Sequence, residues 1–104
     1  VSSYEQRCQE DARLAILAEL AQQRDATLNS RSLTTLIEQV VPRRTREWIE
    51  TQLDWLDTMG AIRVTRSELP GLGPVSLATI TRAGRDHVER RIVIHGITLP
   101  ADAE

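Results

Sequence analysis

Between residues 33 and 41 the apolar positions are Leu33, Leu36, Ile37, Val40 and Val41. This is the i, i+3, i+4, i+7, i+8 spacing of one buried helical stripe, and Pro42 closes it because the residue before a proline is pushed out of the helical region. Upstream, residues 4 to 24 contain neither Gly nor Pro and read as a helix. Leu14, Ile16, Leu17, Leu20 and Ala21 cover a broad arc of it, and Ala12, Ala15 and Ala18 line much of the remainder. Apolar surface on more than one side fits two arrangements equally: a central helix wrapped by its own domain, or an alanine face that meets a second copy of the chain. Arg13 falls within the main arc and interrupts it, unless its stem packs and its head snorkels outward. A short apolar bridge, Ala26 to Leu28, leads into "NSRS", where Asn29, Ser30 or Ser32 can cap the next helix through a side-chain oxygen.

Thr45 then serves as N-cap for a third helix that runs to Met59, with Gly60 at the position past its end where a left-handed conformation is favoured. Trp48, Ile49, Gln52, Leu53, Trp55, Leu56 and Met59 share one side of it, which assigns both tryptophans to the core. After Gly60 the period changes. Ile62 and Val64 alternate with Arg63 and Thr65, and "VSLATIT" at 75 to 81 follows the Pro/Gly-rich "SELPGLGP", so the two runs make a β-hairpin. Thr81 reads as the cap of a last helix, "TRAGRDHVERRIVIH", in which Val88 and Ile92 pack and which Gly96 stops. The order is helix, short strand, helix, helix, hairpin, helix: an α+β fold, mostly helical, over residues 1 to 96. "ITLPADAE", residues 97 to 104, reads as a flexible tail.

Composition adds limits. A chain of 104 residues makes one domain, and 40% hydrophobic with 27% charged residues is the balance of a soluble globular protein. No apolar run approaches the roughly 20 residues needed to cross a membrane. Nor does a basic region followed by an apolar stretch mark a secretory signal, so a cytoplasmic protein is expected. The one cysteine, Cys8, has no partner for an internal disulfide. Formal net charge is −2, which gives no support to a nucleic-acid partner. All 13 basic residues are arginine, the stronger ligand for phosphates and base edges, although such usage fits a coding bias better than a design for nucleic acid.

Other chemistry finds little footing. His87 and His95 are eight residues apart, roughly two helical turns, and two ligands without a third make a poor site, so neither a metal nor a cofactor is expected. Cys8 has no histidine near it in sequence and the serines sit in capping or turn contexts. "GLG" at 71 to 73 is a turn signal without a phosphate-loop frame, and an enzyme is not expected.

Two stretches carry a family resemblance. "WIETQLDWLDTMGAIRV" resembles the reading helix of winged helix-turn-helix proteins where it runs into the first wing strand, through Leu53, Leu56, Gly60 and Ile62. "ATITRAGRDHV" is similar to the phrase that closes the wing in many small bacterial regulators, through Ile80, Thr81 and Gly84. With "CQEDARLAILAEL" and "RDHVERRIVIHGI" included, the chain resembles the small ArsR-like winged-helix proteins encoded by Mu-like prophages. The resemblance implies a three-helix core, a hairpin wing and a C-terminal helix. It further implies a transcriptional regulator that binds duplex DNA with its third helix, working as a homodimer so that two such helices address two half-sites. The family often senses metals through clustered cysteines, which this chain lacks.

Under that resemblance Arg46 and Thr51 approach base edges. Arg43, Arg44, Thr45, Arg63 and Arg66 position the protein on phosphates, and Arg82 and Arg85 add contacts if the fold turns them to the same side. Singly, each arginine reads as a solvated residue or a partner for an acid such as Glu38, Glu47, Asp86 or Glu89. The exposed side of the third helix opposes DNA: Arg46 stands against Glu47, Glu50, Asp54 and Asp57, and phosphates repel carboxylates. The hairpin tip holds Glu68 and no basic residue to enter a minor groove. A protein-interaction adaptor that docks this acidic face on a basic partner is therefore the second expectation.

Overall fold

The computed structural model describes residues 3 to 101. Helix α1 (Tyr4–Gln22) starts where the Ser3 side chain accepts from the Gln6 amide at 3.0 Å, and it buries Cys8, Ala12, Arg13, Ile16, Leu17 and Leu20. It packs against all three other helices and the central strand of the sheet, so Ala12 is fully buried within its own chain, and Ala15 and Ala21 lie half-buried against the core. Strand β1 (Thr27–Asn29) leads into α2 (Ser30–Ile37), and of the three candidate caps it is Asn29 that accepts from the Ser32 amide, at 2.8 Å. Helix α3 (Arg46–Thr58) is capped by Thr45, which accepts from the Trp48 amide, and Gly60 follows it at φ +81°. Strands β2 (Ile62–Leu69) and β3 (Gly73–Ile80) form the hairpin, and α4 (Arg82–Val88) follows. Among the described residues the fold is α+β: four helices and one antiparallel sheet in the order β1-β3-β2.

The core is drawn from every element. Leu33 and Ile37 of α2, Ile49, Leu53 and Leu56 of α3, Ile62 of β2 and Ala78 and Ile80 of β3 close on Ile16, Leu17 and Leu20 of α1. On an area basis each such leucine or isoleucine contributes about 1.5 to 3 kcal/mol. Trp48 and Trp55, assigned to the core by periodicity, are half-buried at its margin, while Met59 is exposed.

Further expectations are corrected. Helix α2 ends at Ile37 rather than Val41: the amides of Val40 and Val41 both return to the Ile37 carbonyl at 2.9 Å. That tight turn swings Val41 into the core but leaves Leu36 and Val40 exposed. The hairpin turn contracts to residues 70 to 72, because Ser67, Glu68 and Leu69 pair with Val75, Pro74 and Gly73. Leu72 bonds back to the Leu69 carbonyl at 3.0 Å around Pro70 and Gly71, the latter at φ +77°, as a proline–glycine turn requires.

The last helix stops at Val88, not at 95. Buried His87 accepts the Ile94 amide on Nδ1 at 3.1 Å, which places the ring proton on Nε2, 3.0 Å from the Thr98 carbonyl. The helix itself is ended by Arg90 at φ +65°, with the Arg90 amide on the His87 carbonyl at 3.1 Å and the Arg91 amide on the Asp86 carbonyl at 2.8 Å; beyond that turn Ile94 and Ile97 fill the core and Ile92 stays in solvent. Ile97 and Thr98, assigned to the flexible tail, are thus packed: Thr98 bonds to the Glu10 carbonyl through its amide and to Asp11 through its hydroxyl. Residues 102 to 104 of that tail lie outside the described residues.

Arg13 does not snorkel. It donates from Nε to Gln52 Oε1 and from a terminal nitrogen to the Gly96 carbonyl, both at 2.9 Å, with its guanidinium 3.9 Å from the Trp55 ring centre. These two acceptors and the indole face replace part of the water it gives up. Gly96 is needed there, since a Cβ would come within 2.5 Å of Trp55 and the backbone stands at φ +99°.

Candidate nucleic-acid interface

Two grooves flank the first turn of α3, and Arg46 and Glu47 line both. The first, about 520 Å³, lies between the starts of α2 and α3 and is completed by Arg31, Ser32, Thr34 and Thr35. Asn29 and Thr45 cap the two helices and so fix where the chain enters each one. Arg31 and Arg46 therefore extend from two adjacent helix starts, where backbone amides add a positive field. Both are exposed, and neither guanidinium has a carboxylate or hydrogen-bond partner among the described residues. Hydroxyls line the rest of this groove, with Thr34 donating to the Ser30 carbonyl at 2.7 Å.

The second groove, about 240 Å³, lies between α3 and the hairpin and is completed by Glu50, Arg66, Pro74 and Val75. Its charges are spent on one another. Arg66 donates to Glu50 Oε1 at 3.1 Å, approaches Asp54 Oδ1 at 3.8 Å, and also donates to the Ser76 hydroxyl. Ser76 in turn donates to the same Glu50 oxygen at 2.6 Å, and its amide is held by Ser30 Oγ at 3.1 Å. A chain of polar contacts thus ties α2, α3 and β3 together through side chains that short-range sequence patterns treat separately.

The site residues expected from sequence fall into groups. Arg44 is withdrawn: it pairs with Glu5 of α1 at 3.0 Å and lies 4.8 Å from the Trp48 ring centre. Trp48 Nε1 donates to the other Glu5 oxygen at 2.9 Å, and this indole hydrogen bond, with Arg44 beside it, holds the Glu5 carboxyl below the usual carboxylate range. Thr45 is occupied as a cap. Arg43 is exposed at φ +66°, its amide bonded to Glu38 Oε2 at 3.0 Å and its side chain without a partner among the described residues. Thr51 is exposed one turn along α3 from Glu47, its hydroxyl donating to the Glu47 carbonyl at 3.1 Å.

Arg63 and Arg66 do not share the solvent side of β2. Alternation in a strand sends residues three apart to opposite faces. Arg66 reaches over α3 beside its cross-strand neighbour Ser76, whereas Arg63 faces away from it, opposite Thr79. Arg82 and Arg85 stand on α4, and neither lines either groove.

Comparison with protein-family models, with curated proteins and with solved structures finds no match. The weight therefore rests on the geometry. Sequence patterning missed Arg31, whose signal is a basic residue in the first turn of the helix that precedes α3. Among the described residues no cluster of three or more His, Cys, Asp or Glu is placed to hold a metal, and no helix is long and apolar enough to cross a membrane. His87 is buried in α4 while exposed His95 lies beyond it, so the two do not share a helix face.

Proposed function

We propose that this chain is a winged helix-turn-helix DNA-binding protein, a transcriptional regulator of the small ArsR-like kind. In this assignment α2 and α3 form the helix-turn-helix and β2–β3 the wing. The observation that carries it is the α2–α3 groove, which Arg31 and Arg46 line from two helix starts, neither in an ion pair among the described residues, against the single carboxylate of Glu47. Two guanidinium groups on adjacent helix starts suit successive phosphates of one strand, and laying α3 in the major groove brings its first turn to the base edges. Arg43 is the further cation free to reach phosphate, whereas Arg63, on the opposite face of the hairpin, is not counted among the contacts.

The acidity of α3, the strongest objection, is smaller than its sequence suggests. Glu50 and Asp54 stand against Arg66, and Asp57 lies near the far end of the helix. The same pairing weakens the adaptor alternative, since a basic partner would have to displace Arg66 to use that face. A homodimer remains part of the proposal, with two α3 helices reaching two half-sites. Among the α1 alanines Ala18 is the one that does not pack against the core, so it marks where a second copy would meet that helix.

The test is fluorescence anisotropy of the full chain with a labelled mixed-sequence duplex across a salt series. Three phosphate contacts, from Arg31, Arg43 and Arg46, predict a slope of log affinity against log salt of roughly −3. Absence of binding at low salt overturns the assignment.

A further inference from the structure

The four acids on the exposed side of α3 do not stand in equivalent surroundings. Glu50 is held by Ser76 and Arg66, Asp54 lies 3.8 Å from Arg66, and Asp57 belongs to the last turn. Glu47 is the exception. It is exposed in the first turn, lines both grooves, and makes no ion pair or side-chain hydrogen bond among the described residues, although Arg46 adjoins it and Arg31 lines the same groove.

A carboxylate near a helix start is favoured by the helix field alone, and that would suffice if Glu47 met only water. In a major groove its chemistry is more selective. An ionised carboxylate accepts and never donates. Guanine presents two acceptors there, thymine an acceptor and a methyl group, and adenine an acceptor beside its amino group. Cytosine N4 alone offers a donor with no acceptor on the same base edge. A carboxylate flanked by phosphate-binding arginines is thus repelled by most sequences and tolerated by one, which is how repulsion creates discrimination.

We propose that Glu47 is a specificity-determining residue that accepts a hydrogen bond from cytosine N4 in the major groove while Arg31 and Arg46 hold the adjoining backbone. This rests on the DNA-binding assignment above. The discrimination expected at that base pair is roughly ten- to a hundred-fold.

The experiment is affinity selection of a random duplex library by the full chain and by Glu47→Gln and Glu47→Ala, followed by anisotropy on the selected site and on single-base variants of it. Wild type is expected to select a site with a fixed C·G pair. Glu47→Gln moves the preference at that pair toward A·T, because Gln pairs bidentately with adenine, and Glu47→Ala flattens it. Thermal melts of both variants stay close to wild type, since the side chain is exposed. A purely structural role predicts no change at any base pair, and an unchanged preference in both folded variants overturns the inference while leaving DNA binding intact. Selection of no duplex by wild type overturns the DNA-binding assignment, and the inference with it.

Discussion

The two grooves beside α3 share Arg46 and Glu47, yet one is open and the other closed by its own charges. Between α2 and α3, Arg31 and Arg46 face solvent among hydroxyls and the unpaired Glu47. Between α3 and the hairpin, Arg66 is divided among Glu50, Asp54 and Ser76. Counting charges along α3 treats both sides alike and concludes that the helix is acidic. What matters for a partner is the charge left after internal pairing: at the helix start Arg31 and Arg46 outweigh Glu47, whereas on the hairpin side Arg66 is outweighed by Glu50 and Asp54. Exposed pairs contribute only about 0 to 1 kcal/mol to stability, so the Arg66 contacts matter more for the field they remove than for the fold they hold.

The largest expected effect removes the frame on which both grooves stand. At the corner between α3 and β2, Thr81 donates its hydroxyl to the Gly60 carbonyl at 2.6 Å and accepts from the Gly84 amide, and a Cβ on Gly84 would overlap the Ala61 carbonyl oxygen. Gly84→Ala should cost about 3 kcal/mol, because a backbone atom yields less than a side chain. Urea denaturation measures it, and near-wild-type stability would show that α4 does not seat on that corner.

A smaller effect opens the closed groove. Glu50→Gln keeps the Ser76 hydrogen bond but removes the charge that holds Arg66. Nonspecific duplex affinity should rise roughly ten-fold near 0.1 M salt, and the salt slope should steepen by about one contact. An unchanged slope in the salt titration would mean that Arg66 does not reach phosphate even when freed.

The smallest effect concerns Arg44, the other cation withdrawn from the surface. The Glu5 carboxyl titrates below its ordinary value chiefly because of the Trp48 indole and secondarily because of Arg44. A depressed carboxylate contributes stability above its unfolded value and loses it as pH falls through the folded value. Trp48→Phe removes the indole donor, so its melting temperature should lie furthest below wild type near neutrality, and the gap should narrow below about pH 4. A gap that stays constant with pH would remove Glu5 from the account.

Much of this molecule is legible from local pattern. The Thr45 cap, the Gly60 stop, the short strand before α2 and the existence of the hairpin all follow from side chains acting on backbone within a few residues. The end of α4 was not legible, because it turns on Arg90 adopting a left-handed conformation that favours glycine, after which the His87 ring holds the Ile94 amide. Nor was the fate of Arg13, whose partner carbonyl at Gly96 lies 83 positions away. The opposite faces of Arg63 and Arg66 follow from strand alternation and could have been read. Arg31 has only a weak signal, a basic residue in the first turn of α2, whose meaning depends on α2 lying beside α3. The open and closed grooves were invisible for the same reason: Glu50 and Arg66 meet only when the hairpin folds over the helix.

The most direct test of that difference is a paired salt titration of duplex DNA binding with Arg31→Ala/Arg46→Ala and with Arg44→Ala/Arg66→Ala. Each variant removes two positive charges, so net charge alone predicts equal effects. The open-groove account predicts that the first variant flattens the slope by about 1.8 and weakens binding roughly fifty-fold near 0.1 M salt, while the second leaves the slope nearly unchanged. Equal losses from the two variants, or a larger loss from the second, would contradict it.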